Sequence, residues 1–119
     1  MKITQLITGL DNLSYFVDIE TGYDTQEMLG NYSKHFPVGQ MQFRDFEAGL
    51  TYDWHTAPQA QYIVYLSGEV QVETSSGEKR VFKSGDILFA ADLRGKGHVT
   101  KTLSKGQSIV ITAAQHSAF

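Results

Sequence analysis

Short alternating runs broken by glycine-containing turns follow one another after residue 40, and this pattern constrains the fold more than any other feature. The run 41–46, "MQFRDF", alternates apolar and polar residues, and the run 61–74 is rich in β-branched and aromatic residues. Breaks fall at Ser67-Gly68, at 75–78 ("SSGE") and at 84–86 ("SGD"). Many short strands at such spacing predict an all-β fold, an antiparallel sandwich or barrel.

One segment offers a helix as an alternative. The stretch 22–36, "GYDTQEMLGNYSKHF", has Asp24 or Thr25 in position to cap a first turn, and Gly30 would end the helix quickly. The 119 residues, of which 41% are hydrophobic, suffice for one domain with a buried core. We therefore expect a single domain over 1–119. Its core barrel spans about 40–112, and an N-terminal strand and an irregular segment fill 1–39.

Composition excludes several classes of function. The formal net charge of −3 gives no basic footprint for nucleic acid or for an anionic membrane. The absence of cysteine excludes disulfides, thiolate nucleophiles and cysteine metal ligands, and it fits a cytoplasmic protein. We see no signal peptide, and no stretch reaches the ~18 apolar residues that a membrane helix needs. Phosphate-binding loops and Gly-x-Ser-x-Gly elbows are also missing from the sequence.

A candidate site begins at His55, which we place at the mouth of a β-strand. Ala57 stands two residues further on and Gln61 six, and alternate residues of a strand share one face. These three side chains are therefore expected to point the same way, at positions where metal-binding strands often carry His, His and Glu. Asp53, two residues before His55, would add a carboxylate. Phe43 and Trp54 would line an apolar cavity beside it.

Two motifs resemble those of the cupin superfamily. Gly49, His55, Gln61 and Gly68 have the spacing of the first cupin motif, which runs glycine, His-x-His, glutamate and closing glycine. The segment Gly85–His98, "GDILFAADLRGKGH", resembles the second motif, which begins with glycine and ends around a histidine. Here the usual proline is absent and the loop is longer. The resemblance covers roughly residues 40 to 112.

This resemblance implies a small β-barrel of two facing sheets, of the double-stranded β-helix or jelly-roll type. It also implies a divalent metal ion inside the barrel, such as zinc, nickel, iron or manganese. Carried over by residue, His55 matches the first histidine ligand and His98 the last. Ala57 stands in place of the second histidine and Gln61 in place of the glutamate. The predicted metal donors are therefore His55, Gln61 and His98, with Asp53 as an additional ligand. With no carboxylate among the first three, the ion should be weakly held or absent.

Two kinds of function follow. The first is an enzyme acting on a small polar or carbonyl-bearing molecule inside the barrel, either through a metal or through His55 and His98 as acid and base. The alternative is a metal-free module that binds a small molecule without catalysis. The predicted pocket consists of His55, Ala57, Gln61, His98, Trp54 and Phe43.

A homodimer is also expected, because small barrels leave edge strands that need cover. The run 14–20, "SYFVDIE", is the candidate segment for crossing to the partner. His35 and His116 lie outside both motifs, and we interpret them as surface residues.

Overall fold

A computed structural model describes residues 1–114, so the predicted surface position of His116 lies outside the described residues. Within this range the chain forms twelve strands and no helix, which confirms the all-β prediction. The strands are β1 Lys2–Thr8, β2 Ser14–Glu20, β3 Thr25–Glu27, β4 Gly30–Tyr32, β5 Val38–Phe46, β6 Thr51–His55, β7 Gln61–Ser67, β8 Val70–Thr74, β9 Lys79–Phe82, β10 Ile87–Ala91, β11 His98–Thr102 and β12 Gly106–Ala113. No helix able to cross a membrane occurs in this part of the chain.

The strands form two larger sheets and a small hairpin. The six-stranded sheet has the order β2-β1-β10-β7-β12-β5, and the four-stranded sheet has the order β6-β11-β8-β9. Among the described strands every pair is antiparallel except β1 with β10, where Thr4 lies opposite Leu88 in a parallel ladder. The first sheet therefore begins at Lys2 and contains two N-terminal strands, where the sequence predicted one strand before an irregular segment.

One hydrophobic core joins the two sheets. Tyr65 of the six-stranded sheet is 1% exposed, and its ring stacks at 5.5 Å on Phe82 of the four-stranded sheet. Leu88 packs into the same cluster from the first sheet, as do Val70 and Val72 from the second. Alternate residues of β8 point inward, as expected for a strand with one buried face. Each such apolar side chain contributes roughly 1.5–3 kcal/mol through burial.

One prediction about the N-terminal third is wrong. The helix candidate is a β-hairpin, in which β3 pairs with β4 across a turn at the exposed residues Met28 and Leu29. This segment offers no helical spacing of apolar residues, and Gly30 adopts a φ of +142° that suits the turn. The run 14–20 pairs along its length with β1 and forms one edge of the six-stranded sheet, with Phe16 in the core, and its contact with a partner stays a prediction.

Candidate functional site

A cavity of about 630 Å³ lies between the two sheets, within the size range of sites for small molecules. Its wall is mostly apolar, with aliphatic and aromatic side chains supplied by both sheets. Polar side chains interrupt this wall at Arg44, His55, Gln61 and His98, which come from β5, β6, β7 and β11. The exposed acids Asp45 and Glu47 also line it.

His98 is held from one side by a buried carboxylate. Asp92, which directly follows β10, is fully buried, and its Oδ2 lies 2.5 Å from His98 Nδ1. Because a carboxylate accepts, Nδ1 carries the proton and donates it to Asp92, which leaves Nε2 as the nitrogen available for other contacts. Within residues 1–114, the second oxygen of Asp92, Oδ1, has no donor. The pair is therefore a histidine oriented by an acid.

His55 lies beside His98, with ring centroids 4.3 Å apart. Its Nδ1 lies 2.7 Å from the backbone oxygen of Asp53 and donates to it, and the Tyr52 ring stacks on it at 3.5 Å. Burial lowers the pKa of His55, the hydrogen bond to Asp53 opposes this, and a charge on His98 lowers the pKa further. The Asp92 carboxylate acts in the opposite direction, but the net pKa of His55 is lowered, so His55 is neutral at pH 7.

Gly97 permits the two histidines to approach. His98 lies opposite His55 in the ladder between β11 and β6. Gly97 has a φ of +78°, and a Cβ added there would lie 1.9 Å from the backbone oxygen of His55. No other residue type could bring the start of β11 this close to the end of β6.

Ala57 and Gln61 also line the cavity, but not for the reason the sequence suggested. His55 ends β6 in the four-stranded sheet, whereas Gln61 begins β7 in the six-stranded sheet. Ala57 lies in the connection between them, where its N–H donates to the backbone oxygen of Asp92. The three residues converge across two sheets, so alternation along one strand is the wrong explanation.

Three predicted residues do not line the cavity. Phe43 is 78% exposed, because the neighbouring positions 44 and 46 are the ones that face inward. Trp54 packs under Lys96, whose Nζ lies 4.0 Å from the ring centroid. The exposed Asp53 turns its carboxylate to the backbone N–H of Trp54 and holds His55 only through its backbone.

The donors on the wall do not fit a tightly bound divalent ion. Within the described 114 residues no three His, Asp or Glu side chains are grouped to hold a metal. His55, His98 and the amide of Gln61 supply no negative charge, and the carboxylate of Asp92 is engaged with His98 Nδ1. Metal sites with this few donors and no anionic ligand bind weakly.

Sequence reasoning missed two residues, Asp92 and Arg44. Asp92 lies inside the second motif. Its position between a strand and a glycine-rich loop was the one signal in the sequence that could have indicated a site residue. Arg44 was placed on the polar face of β5, whereas it lies on the cavity wall and its guanidinium stacks at 4.9 Å on Phe46. A strand's alternation shows two faces but does not say which one is buried.

No protein-family model matches the chain. It is 33% identical over 67 residues to Oryzines biosynthesis cluster protein J of Aspergillus oryzae, an alignment covering 56% of this chain and 36% of that one. The chain thus spans about a third of that relative's length.

Two solved structures share the fold. A Streptococcus pyogenes protein of unknown function, SPY1581, superimposes with a TM-score of 0.52 at 14% identity, covering 72% of each chain. Protein NMB1881 of Neisseria meningitidis gives 0.50 at 15% identity, covering 67% of this chain and 84% of that one. At these identities the likeness concerns the fold alone.

Proposed function

We propose that the chain is a cupin-type jelly-roll barrel whose cavity binds a small polar or carbonyl-bearing molecule and catalyses proton transfer on it. Two sheets with a common core support the barrel. The motif residues His55, Ala57, Gln61 and His98 surround the cavity, which supports the cupin likeness.

The hydrogen bond between Asp92 and His98 carries the catalytic proposal. A neutral imidazole whose Nδ1–H is held by a carboxylate presents a lone pair at Nε2, the arrangement of a general base. When Nε2 takes a proton from the substrate, the carboxylate stabilises the resulting imidazolium in a site shielded from water. Asp92 itself is not on the cavity wall, so it acts as a positioning residue.

His55 complements this base. Since a charge on His98 disfavours a second charge nearby, His55 stays neutral while His98 is protonated. Its Nδ1 is fixed on the Asp53 carbonyl, so its Nε2 accepts a hydrogen bond from the substrate and orients it. Gln61, on the opposite sheet, supplies an amide that can donate to a substrate oxygen.

Hydrogen–deuterium exchange tests this proposal without knowledge of the substrate. Small ketones and keto acids with exchangeable α-hydrogens are incubated in D₂O with the wild-type protein, and their proton signals are followed by NMR. We expect at least one compound to exchange faster than in buffer. Asp92→Asn should slow this by about 10²-fold or more, since it removes the charge that stabilises the imidazolium. His35→Gln, a change at an exposed histidine, is the matched control.

If no compound exchanges faster than in buffer, or if Asp92→Asn exchanges as fast as wild type, the proton-transfer role is refuted. The metal-free binding module then becomes the better account, and the largely apolar wall favours it as the second candidate. Ligand-induced shifts of cavity resonances without turnover would identify that function.

We also propose a homodimer in the cytoplasm. β5 forms one edge of the six-stranded sheet, and its outward residues Met41 and Phe43 are 55% and 78% exposed. A long apolar edge strand needs cover, and a second copy supplies it. Sedimentation at micromolar concentration should show a species of twice 13.3 kDa, and Phe43→Glu should shift it to the monomer. A wild-type monomer would refute the dimer. The lack of cysteine supports the proposed location.

A further inference from the structure

We infer that the ligand of this cavity is a small organic carboxylate and that Arg44 binds its carboxylate group. The inference rests on the proposed function, because it requires the cavity to be a ligand site. It adds the chemical class of the ligand and a specificity-determining residue.

Arg44 brings a positive charge without a bonded partner to the cavity wall. Guanidinium groups remain charged at neutral pH. In the described part of the chain, Arg44 forms no ion pair, and its Nε and Nη2 are shielded from solvent without an acceptor. Its Phe46 contact leaves the N–H groups unpaired. Buried donors without acceptors cost free energy, which an incoming carboxylate would offset after a small rotation of the guanidinium.

The nearest acids in sequence, Asp45 and Glu47, also line the cavity, but both are exposed and their carboxylates contact other residues. Asp45 accepts a hydrogen bond from Gln107 Nε2 at 2.9 Å, and both residues are exposed. The exposed Glu47 lies 4.0 Å from Lys105. Neither carboxylate bonds to Arg44, so its charge remains available to a ligand.

The rest of the wall indicates a monoanion with an apolar body. Among the described wall residues Arg44 is the sole permanent cation, and the exposed Asp45 and Glu47 add negative charge. A dianionic phosphate bound there would therefore keep an uncompensated charge, whereas a single carboxylate would not. Apolar side chains such as Ile63 and Leu88 suit a hydrocarbon portion, and His98 lies on the same wall to act on the ligand's polar end. A carboxylate also matches the planar, two-pronged geometry of a guanidinium.

Matched probes test this inference by ¹⁵N NMR titration. Butyrate, hexanoate, benzoate and phenylacetate are each compared with the corresponding neutral amide, and inorganic phosphate is titrated separately. In wild type we expect at least one carboxylate to shift cavity resonances and to bind at least tenfold more tightly than its amide. Arg44→Met should reduce this preference to within about twofold, and Arg44→Lys should retain part of it. Arg80→Met, at an arginine paired with Asp18 on the surface, should leave the preference unchanged.

Equal binding of carboxylates and amides would overturn the assignment of Arg44 and leave the proposed function intact. So would a preference that persists in Arg44→Met, or tighter binding of phosphate than of every carboxylate. If no probe shifts the cavity resonances, the carboxylate inference fails, while the exchange experiment decides the proposed function independently. Well-dispersed spectra show whether each variant folds. If Arg44→Met does not fold, the loss of preference is measured in Arg44→Lys instead.

Discussion

Removing either member of the buried Asp92–His98 pair should destabilise the fold about as much as removing both. The His98 side chain is 7% exposed and the Asp92 side chain 0%. Asp92→Ala leaves the His98 Nδ1–H without its acceptor, and His98→Ala leaves a carboxylate without its donor. In the double variant neither group is left unpaired.

The size of the effect follows from the burial. Removing one partner forfeits a hydrogen bond to a charged group, about 1.5–3 kcal/mol, and leaves the other group unpaired at a further cost of about 1–3 kcal/mol, so each single variant should lose about 3 kcal/mol or more. His98→Ala should cost more than Asp92→Ala, because Asp92 Oδ1 already has no donor within residues 1–114. The double variant should also lose about 3 kcal/mol, which leaves a coupling free energy of about 3 kcal/mol between the two residues.

Urea unfolding of wild type, Asp92→Ala, His98→Ala and the double variant measures this coupling. If an alanine variant does not fold, Asp92→Asn and His98→Gln replace it as milder substitutions. The ion pair Asp18–Arg80 is the matched control. Its side chains are 40% and 33% exposed, and a partly exposed pair should couple by at most about 1 kcal/mol. Additive losses for Asp92 and His98, within about 0.5 kcal/mol, would refute the claim that they act as a pair.

Three further predictions concern the same site. Burial lowers the pKa of His55 below 6.5, so the unfolded chain binds a proton at this residue before the folded chain does. The free energy of unfolding should therefore fall as the pH drops below about 6.5. A dependence on pH that is unchanged in His55→Gln would contradict this. Ala57→His with Gln61→Glu should complete a set of three histidines and one carboxylate and raise the affinity for zinc or nickel by orders of magnitude, as measured by calorimetry. An affinity no higher than that of wild type would show that these side chains do not converge. Gly97→Ala should cost about 3 kcal/mol or more in urea unfolding, because its Cβ would meet the His55 carbonyl at 1.9 Å, and a loss below about 1 kcal/mol would refute that close approach.

The strands were predictable because their turns carry strong local signals. The predicted breaks at "SSGE" and "SGD" are turns at Ser75-Ser76 and Ser84-Gly85 in the structure. The inward face of β5 was not predictable from alternation. Met41 and Phe43 are exposed, while Arg44 lines the cavity, because a cavity accepts a charged side chain that a packed core would exclude. Local pattern alone does not reveal such a cavity.

The candidate site was half predictable. The motif likeness singled out His55 and His98, which lie opposite each other in one ladder. The partner of His98 was missed because the conformation of the loop after β10 places Asp92 against it, and turn signals do not specify that conformation. Arg44 was missed for a similar reason, since its role depends on which side chains the opposite sheet brings near it.

Long-range ¹H–¹⁵N NMR of the histidine rings at neutral pH shows directly which nitrogen of His98 carries the proton. We expect His98 to carry a proton on Nδ1, hydrogen-bonded to the Asp92 carboxylate, and this signal to change in Asp92→Asn. We expect the same Nδ1-protonated form for His55. A proton on Nε2 of His98 with a bare Nδ1, or a ring that exchanges freely between both forms, would contradict the pairing on which the proposed function depends.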